Sequence, residues 1–220
     1  SKKVEITLVS DFDQLREKWV HNPSNYITSA NPDPSGDRVV ITARGKMFAF
    51  PVNEGRRIDF TSNSEVRYRD AVFSSDGMDI IALSDASGEF EFTKVRANGL
   101  AKPKPITKDG EVLRYAGVPS PDNKWLAYDD LAGNMFVLNL ANGKSTKIST
   151  NDEGIYSFSW SPDSKWVAFV QVANNTMAQI HLFNVESGAK FPVTTDRANS
   201  TNPEWSPDGK FLYFISDRSF

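Results

Sequence analysis

Two kinds of turn recur along this chain at one shared spacing, and that periodicity limits the fold more than any other feature. The first kind is Ser206-Pro207-Asp208-Gly209-Lys210. Its relatives are Ser161-Pro162-Asp163-Ser164-Lys165, Ser120-Pro121-Asp122-Asn123-Lys124, Ser74-Ser75-Asp76-Gly77-Met78 and the weaker Asp33-Pro34-Ser35-Gly36-Asp37. Their fourth positions fall at 36, 77, 123, 164 and 209, in steps of 41, 46, 41 and 45. The second kind puts a glycine at 55, 99, 143 and 188, in steps of 44, 44 and 45. Proline presets φ early in a β-turn, and glycine supplies the positive φ at its end. Asn123 tolerates that left-handed conformation. Ser164 suits it less, so a slightly different turn is expected there.

Short β-type segments lie between the markers. Val39–Thr42, Ile80–Leu83, Leu126–Tyr128, Val167–Val170 and Leu212–Ile215 follow the first turn. Met47–Pro51, Phe90–Val95, Met135–Leu140 and Ile180–Val185 precede the glycine turn, and Arg57–Thr61, Pro105–Thr107, Thr146–Ser149 and Phe191–Thr194 follow it. A fourth segment, such as Ser157–Trp160, leads into the next turn. Four strands per 41–46 residues describe a blade of a β-propeller. The expected fold is therefore all-β, with about five four-stranded blades belonging to a larger ring. Blades are expected at 26–65, 66–110, 111–152 and 153–197, with a partial one at 198–220. Residues 1–25 are expected to hold one strand of a preceding propeller, Val4–Val9, and a linker with a helical turn or two near Asp11–Trp19.

Charge and composition exclude several classes of function. The net charge is −3, with 16 basic and 16 acidic residues in 1–110 and 9 against 12 in 111–220. No basic arm or patch marks a nucleic-acid binder. The absence of cysteine removes disulfides and thiolate metal sites. No apolar run reaches the 18 residues or so that a membrane-spanning helix needs, so no membrane partner is expected.

Candidate chemistry is sparse. Asp76, Asp122, Asp163 and Asp208 recur once per blade and would suit a metal, but a short carboxylate in a turn ordinarily bonds nearby backbone N–H groups. Trp160 and Trp205 precede equivalent turns and are expected to fill space between blades. His181 and His21 are far apart, and no second ligand shares the strand face of His181. No serine stands in Gly-x-Ser-x-Gly spacing, and the one Ser-x-x-Lys match, Ser187 to Lys190, falls across a Ser-Gly hairpin turn. No catalytic residue, metal site or cofactor is expected. The one cluster with chemical promise is the channel rim. Aligning the innermost strands places Thr28, Arg69, Tyr115, Tyr156 and Thr201 at one level, with Tyr68, Arg114 and Ile155 at the next. Arg69, Arg114, Tyr115 and Tyr156 are the expected substrate-binding set, because arginine and tyrosine grip a peptide carboxylate or backbone.

The Ser-Pro-Asp-Gly-Lys blades resemble TolB-type and tricorn-type propellers. Tyr26-Ile27-Thr28, the run Val39–Lys46, Val66–Phe73 and the ending Ser216-Asp217-Arg218-Ser219-Phe220 are similar to the second propeller of tricorn-type serine proteases. That resemblance implies a seven-bladed gate that guides peptides to peptidase domains elsewhere in the protein. No nucleophile motif of those domains matches here, so the chain itself is expected to be non-catalytic. The resemblance also implies a cytoplasmic protein, with the periplasm as the alternative. Expected partners are peptides or other protein domains, and a homo-oligomer through the unfinished edge at Leu212–Ile215. The competing readings are a TolB-like interaction propeller and the propeller cap of a prolyl-oligopeptidase-like enzyme. A peptidase domain, no further domain or an α/β-hydrolase domain in the whole protein would separate the three.

Overall fold

The computed structural model describes residues 19–60, 63, 65–150 and 155–219. The expected strand Val4–Val9 and the helical turns before Trp19 lie outside these residues. A single 3-10 turn, Pro23–Tyr26, precedes eighteen short strands among the described residues. Blade 1 holds β1 (Ile27–Pro32), β2 (Arg38–Ala43), β3 (Lys46–Pro51) and β4 (Ile58–Asp59). Blade 2 holds β5 (Tyr68–Phe73), β6 (Asp79–Ser84), β7 (Glu91–Arg96) and β8 (Lys104–Pro105). Blade 3 holds β9 (Val118–Pro119), β10 (Trp125–Asp129), β11 (Asn134–Asn139) and β12 (Ser145–Thr150). Blade 4 holds β13 (Ile155–Trp160), β14 (Trp166–Val172), β15 (Ala178–Asn184) and β16 (Lys190–Pro192), and β17 (Ser200–Trp205) pairs with β18 (Leu212–Ser216) in the partial fifth blade. Each complete blade is an antiparallel meander of four strands in sequence order, as the periodicity predicts.

The first strands of successive blades touch each other. Asn31 donates to the Ala71 carbonyl at 2.8 Å, the Trp160 indole N–H to the Val118 carbonyl at 2.9 Å, and Ser159 to Glu204 at 3.1 Å. These strands therefore form the inner layer of the array, as in a propeller.

Every apolar cluster straddles two blades. Val40, Met47 and Phe60 of blade 1 pack with Tyr68, Phe73 and Ile80 of blade 2. Ile81, Leu83 and Phe92 meet Leu126, Tyr128 and Leu138 of blade 3. Ala127, Met135 and Val137 meet Trp160, Val167 and Phe169 of blade 4, and Val170 and Ile180 meet Leu212 of blade 5. Both faces of a central blade are apolar because both are covered.

The Ser-x-Asp turns close by one hydrogen-bond circuit. In blade 4 the Ser161 hydroxyl donates to Asp163 Oδ1 at 2.5 Å and accepts the Trp166 N–H at 2.9 Å, while Asp163 Oδ1 accepts the Lys165 N–H at 3.1 Å. The same three bonds recur at Ser74/Asp76, Ser120/Asp122 and Ser206/Asp208. Blade 1 exchanges the two groups. Asp33 Oδ1 accepts the Arg38 N–H and the Ser35 hydroxyl, and Ser35 Oγ accepts the Asp37 N–H. The weaker sequence match thus conceals the same circuit with carboxylate and hydroxyl traded.

Ser164 corrects an expectation. It takes φ 61°, as Asn123 takes 59° and Gly209 takes 71°, and its N–H bonds Ser161 as the other turns do. What holds these non-glycine residues left-handed is a bond across the blade seam. Ser164 Oγ accepts the Asp122 N–H at 3.0 Å, and Asn123 Oδ1 accepts the Ser75 N–H at 2.7 Å. Two turns of the second family, at Gly99 and Gly143, also sit on seams. A Cβ on Gly143, φ 72°, would lie 2.2 Å from the Ile106 carbonyl oxygen of blade 2.

The turn carboxylates are held below their ordinary pKa, and in Asp76, Asp163 and Asp208 the serine hydroxyl is the main cause. For Asp122 and Asp33 burial pushes upward, but hydrogen bonds from Ser120 and Lys124, or from Arg38, outweigh it. A depressed carboxylate binds fewer protons folded than unfolded. Its stabilisation is complete above the free value of 3.8 and is lost as pH falls through the lower folded value. Ser161→Ala is expected to cost about 1–2 kcal/mol in urea unfolding, since it removes the acceptor of the part-buried Trp166 N–H and a donor to the Asp163 carboxylate. Asp163→Asn is expected to lower stability at pH 7 and flatten its decline below about pH 4. Parallel pH profiles for the parent and Asp163→Asn would contradict this.

Candidate functional site

The expected rim lies at the end of the blades opposite the Ser-x-Asp turns. Arg69, the second residue of β5, stands opposite Leu83, and Tyr115 donates its backbone N–H to Asp129 at 3.0 Å, at the equivalent place in blade 3. The Tyr115 side chain is 37% exposed. The Arg69 side chain is 36% exposed, lies 3.5 Å from Asp70 and stacks its guanidinium 5.4 Å from the centre of the Phe90 ring. Neither contact consumes the fork of donors that arginine offers. Thr28 is also at this level, and it turns its hydroxyl to Thr42 at 2.8 Å. The backbone of Tyr156 pairs with Val170, and its side chain lies outside the described residues.

Arg114 is a correction to the expected set. Its side chain is only 6% exposed and donates to Glu91 at 2.9 Å, Thr107 at 2.8 Å and Asp109 at 2.7 Å. The guanidinium also stands 5.6 Å from the Tyr128 ring centre. Strand alternation is the reason: the level that carries Tyr68 and Arg114 faces the blade interior, and Tyr68 is buried as well. Burial pulls the Arg114 pKa down, but Asp109, Tyr128 and Glu91 more than restore it, so the group stays charged. Glu91 also accepts the Gly110 N–H at 2.5 Å and the Thr107 hydroxyl. This ionic knot folds the 106–115 connection, and Arg114 organises the rim from beneath it.

Two features at this end escaped the sequence reading. The first is a β-bulge at or just past the rim level in four inner strands, between Ile27 and Ser29, Arg69 and Val72, Tyr156 and Ser159, and Thr201 and Glu204. Asp70, Ser157 and Asn202 take φ of 52°, 58° and 52° there. A bulge of this kind re-aims the neighbouring side chain and bends the strand. The signal was an Asp, Ser or Asn at one fixed place in strands that are otherwise β-type. The second is Asp129. It occupies the position that Leu83 and Val170 fill in their blades, and both of those are fully buried. Burial and the neighbouring Asp130 push its carboxyl up to about 6, against a smaller opposing hydrogen bond from its own backbone. Aligning the blades on their turns would have exposed this carboxylate in an apolar slot.

Among the described residues no cluster of three or more His, Cys, Asp or Glu is arranged to hold a metal ion. No helix among them is long and apolar enough to cross a membrane.

A family model for the tricorn protease second beta propeller domain matches residues 27–220. The chain belongs to that family. Among solved structures, the tricorn protease superposes on this tricorn-type propeller with a TM-score of 0.79 at 20% identity, over 90% of this chain and 20% of the other. A putative TolB from Agrobacterium tumefaciens gives 0.66 at 19% identity, covering 86% and 69% of the two chains. TolB from Acinetobacter baumannii gives 0.60 at 17%, covering 84% and 47%. At these identities the likeness is one of fold. The chain spans about one fifth of the tricorn protease chain it matches. No curated protein matches it in sequence.

Asp129 titrates in the opposite sense to the turn carboxylates. Folded, it binds its proton up to about 6, whereas the free side chain releases it near 3.8. Between those values the folded state holds more protons, so stability from this group falls as pH rises through the window. Asp129→Asn is expected to raise the thermal midpoint at pH 7 and leave it unchanged at pH 3. A lower midpoint at pH 7 would show that the ionised carboxylate has a favourable partner.

Proposed function

We propose that this propeller is a non-catalytic segment of a tricorn-type serine protease, guiding peptides toward a peptidase domain outside the chain. Membership of the second-propeller family supports the setting. The observation that carries the role is the placement of Arg69 on β5 and of Tyr115, just before β9, at equivalent, partly exposed levels of adjacent blades. A guanidinium with free donors binds a peptide carboxylate, and a phenol at the same level of the next blade bonds the backbone. Arg114 contributes by holding the 106–115 connection in place. The family resemblance also supports a cytoplasmic setting.

The TolB likenesses favour a second reading, a propeller that scaffolds contacts between proteins without an enzymatic partner. The two readings differ in what the rim does. In the protein that joins this propeller to its peptidase domain, Arg69→Ala with Tyr115→Ala should lower kcat/KM for decapeptides about tenfold, the loss of one or two charge-assisted bonds. Hydrolysis of a short fluorogenic substrate should be unchanged. Equal effects on both substrates, or none on either, would overturn the guiding role.

A further inference from the structure

A groove of about 840 Å³ opens at the seam of blades 3 and 4, bordered by Thr150 of β12, Gln171, Gln179 and His181 of blade 4, and Asn175. It lies at the same end of the blades as the rim, but on the outer strands. Its floor is set by register. Gln171 and Gln179 stand opposite each other on β14 and β15, and Phe169 and His181 form the pair two residues further along. Alternation puts all four on one face, and the Phe169 and His181 rings stack 5.7 Å apart.

The hydrogen bonds in this wall dictate which polar atoms face outward. Lys190 donates to Ser149 Oγ at 2.9 Å, and an ammonium has only protons to give. Ser149 in turn donates to Gln171 Oε1, 2.7 Å away. That leaves the Gln171 NH2 without a protein partner among the described residues. Gln179 is fixed in the reverse sense. Its NH2 donates to the Thr194 carbonyl at 3.2 Å, leaving its oxygen free. His181 is kept neutral by burial and by the nearby Lys190 charge. Its Nδ1 is buried with no partner. A buried lone pair costs less than a buried orphan N–H, so the proton belongs on Nε2, the other ring nitrogen. The wall thus presents donors from Gln171 and His181 and an acceptor from Gln179. Among the described residues none of the three forms an ion pair.

We propose that this groove binds an extended peptide by its backbone, as a site separate from the rim. Fixed donors and a fixed acceptor side by side complement the C=O and N–H of one amide, and the volume lies within the usual range for ligand sites, about 300–1,000 Å³. The choice of a peptide as occupant rests on the peptide-guiding role; the polarity of the wall does not.

Titration of the 15N-labelled chain with N-acetyl-tetraalanine amide tests the site, with maltotetraose as the second probe. The expected result is saturable shifts of the Gln171 and Gln179 side-chain NH2 signals with the peptide and none with the sugar. Gln171→Glu keeps an acceptor for Ser149 and removes the outward donor, so it should weaken peptide binding about fivefold, one hydrogen bond's worth. Arg69→Ala should leave this binding unchanged. Absence of saturable shifts at the two glutamines overturns the proposal whether or not the variant folds. So does saturation by maltotetraose, or equal affinity in a folded Gln171→Glu. Peptide shifts confined to the surroundings of Tyr115 overturn the groove and leave the rim's role standing.

Discussion

Apolar contact across the blade seams is the constraint on which the rest of this structure depends. A four-stranded meander has two faces and no interior. Here the inward residues of each sheet find cover only on the next sheet, so Phe92 needs Tyr128, and Val137 needs Trp160 and Phe169. A small isolated sheet is marginal in water, and stacking supplies the burial it lacks. The rings of Phe92 and Tyr128 meet edge to face at 4.9 Å, and Tyr128 stacks on Phe136 at 5.0 Å, so the seam is specific as well as apolar.

The turns belong to the same seams. Their repeated residues look local, because each circuit closes within six residues. Yet Ser75 donates to the Ser120 carbonyl, Asn123 accepts from Ser75, Ser164 accepts from Asp122, and Arg38 donates to the Gly77 carbonyl. The turn of one blade is thereby tied to the turn of the next. The same geometry creates the functional surfaces at the opposite end. There the seams part, inner strands bulge, and polar side chains such as Arg69 and Gln171 stand where the apolar layers stop.

Much of the fold was legible because its signals are periodic. Turn chemistry located the blades, and β-type runs between turns located strands to within a residue or two, as at β2, β3 and β18. The structural role of the turn aspartates followed from carboxylate chemistry alone. What was not legible depends on contacts made between repeats. Ser164 is unfavourable as a turn residue and favourable as a seam acceptor. Arg114 looked like a rim donor in a strand alignment, and only the packing of the 106–115 connection shows it enclosed by Glu91, Thr107 and Asp109. The polarity of the blade 3–4 groove was out of reach because it is transmitted through Lys190 and Ser149, which lie in different blades.

The most direct test of the seam account is Asn123→Gly in urea unfolding. Asn123 sits at φ 59°, a conformation in which glycine pays no steric penalty, so a purely local turn would be as stable with glycine or more so. If the turns serve the seams, losing the 2.7 Å bond from the Ser75 N–H outweighs that gain. The account predicts a net loss of about 1 kcal/mol with the m-value unchanged. Equal or higher stability in the glycine variant would contradict it.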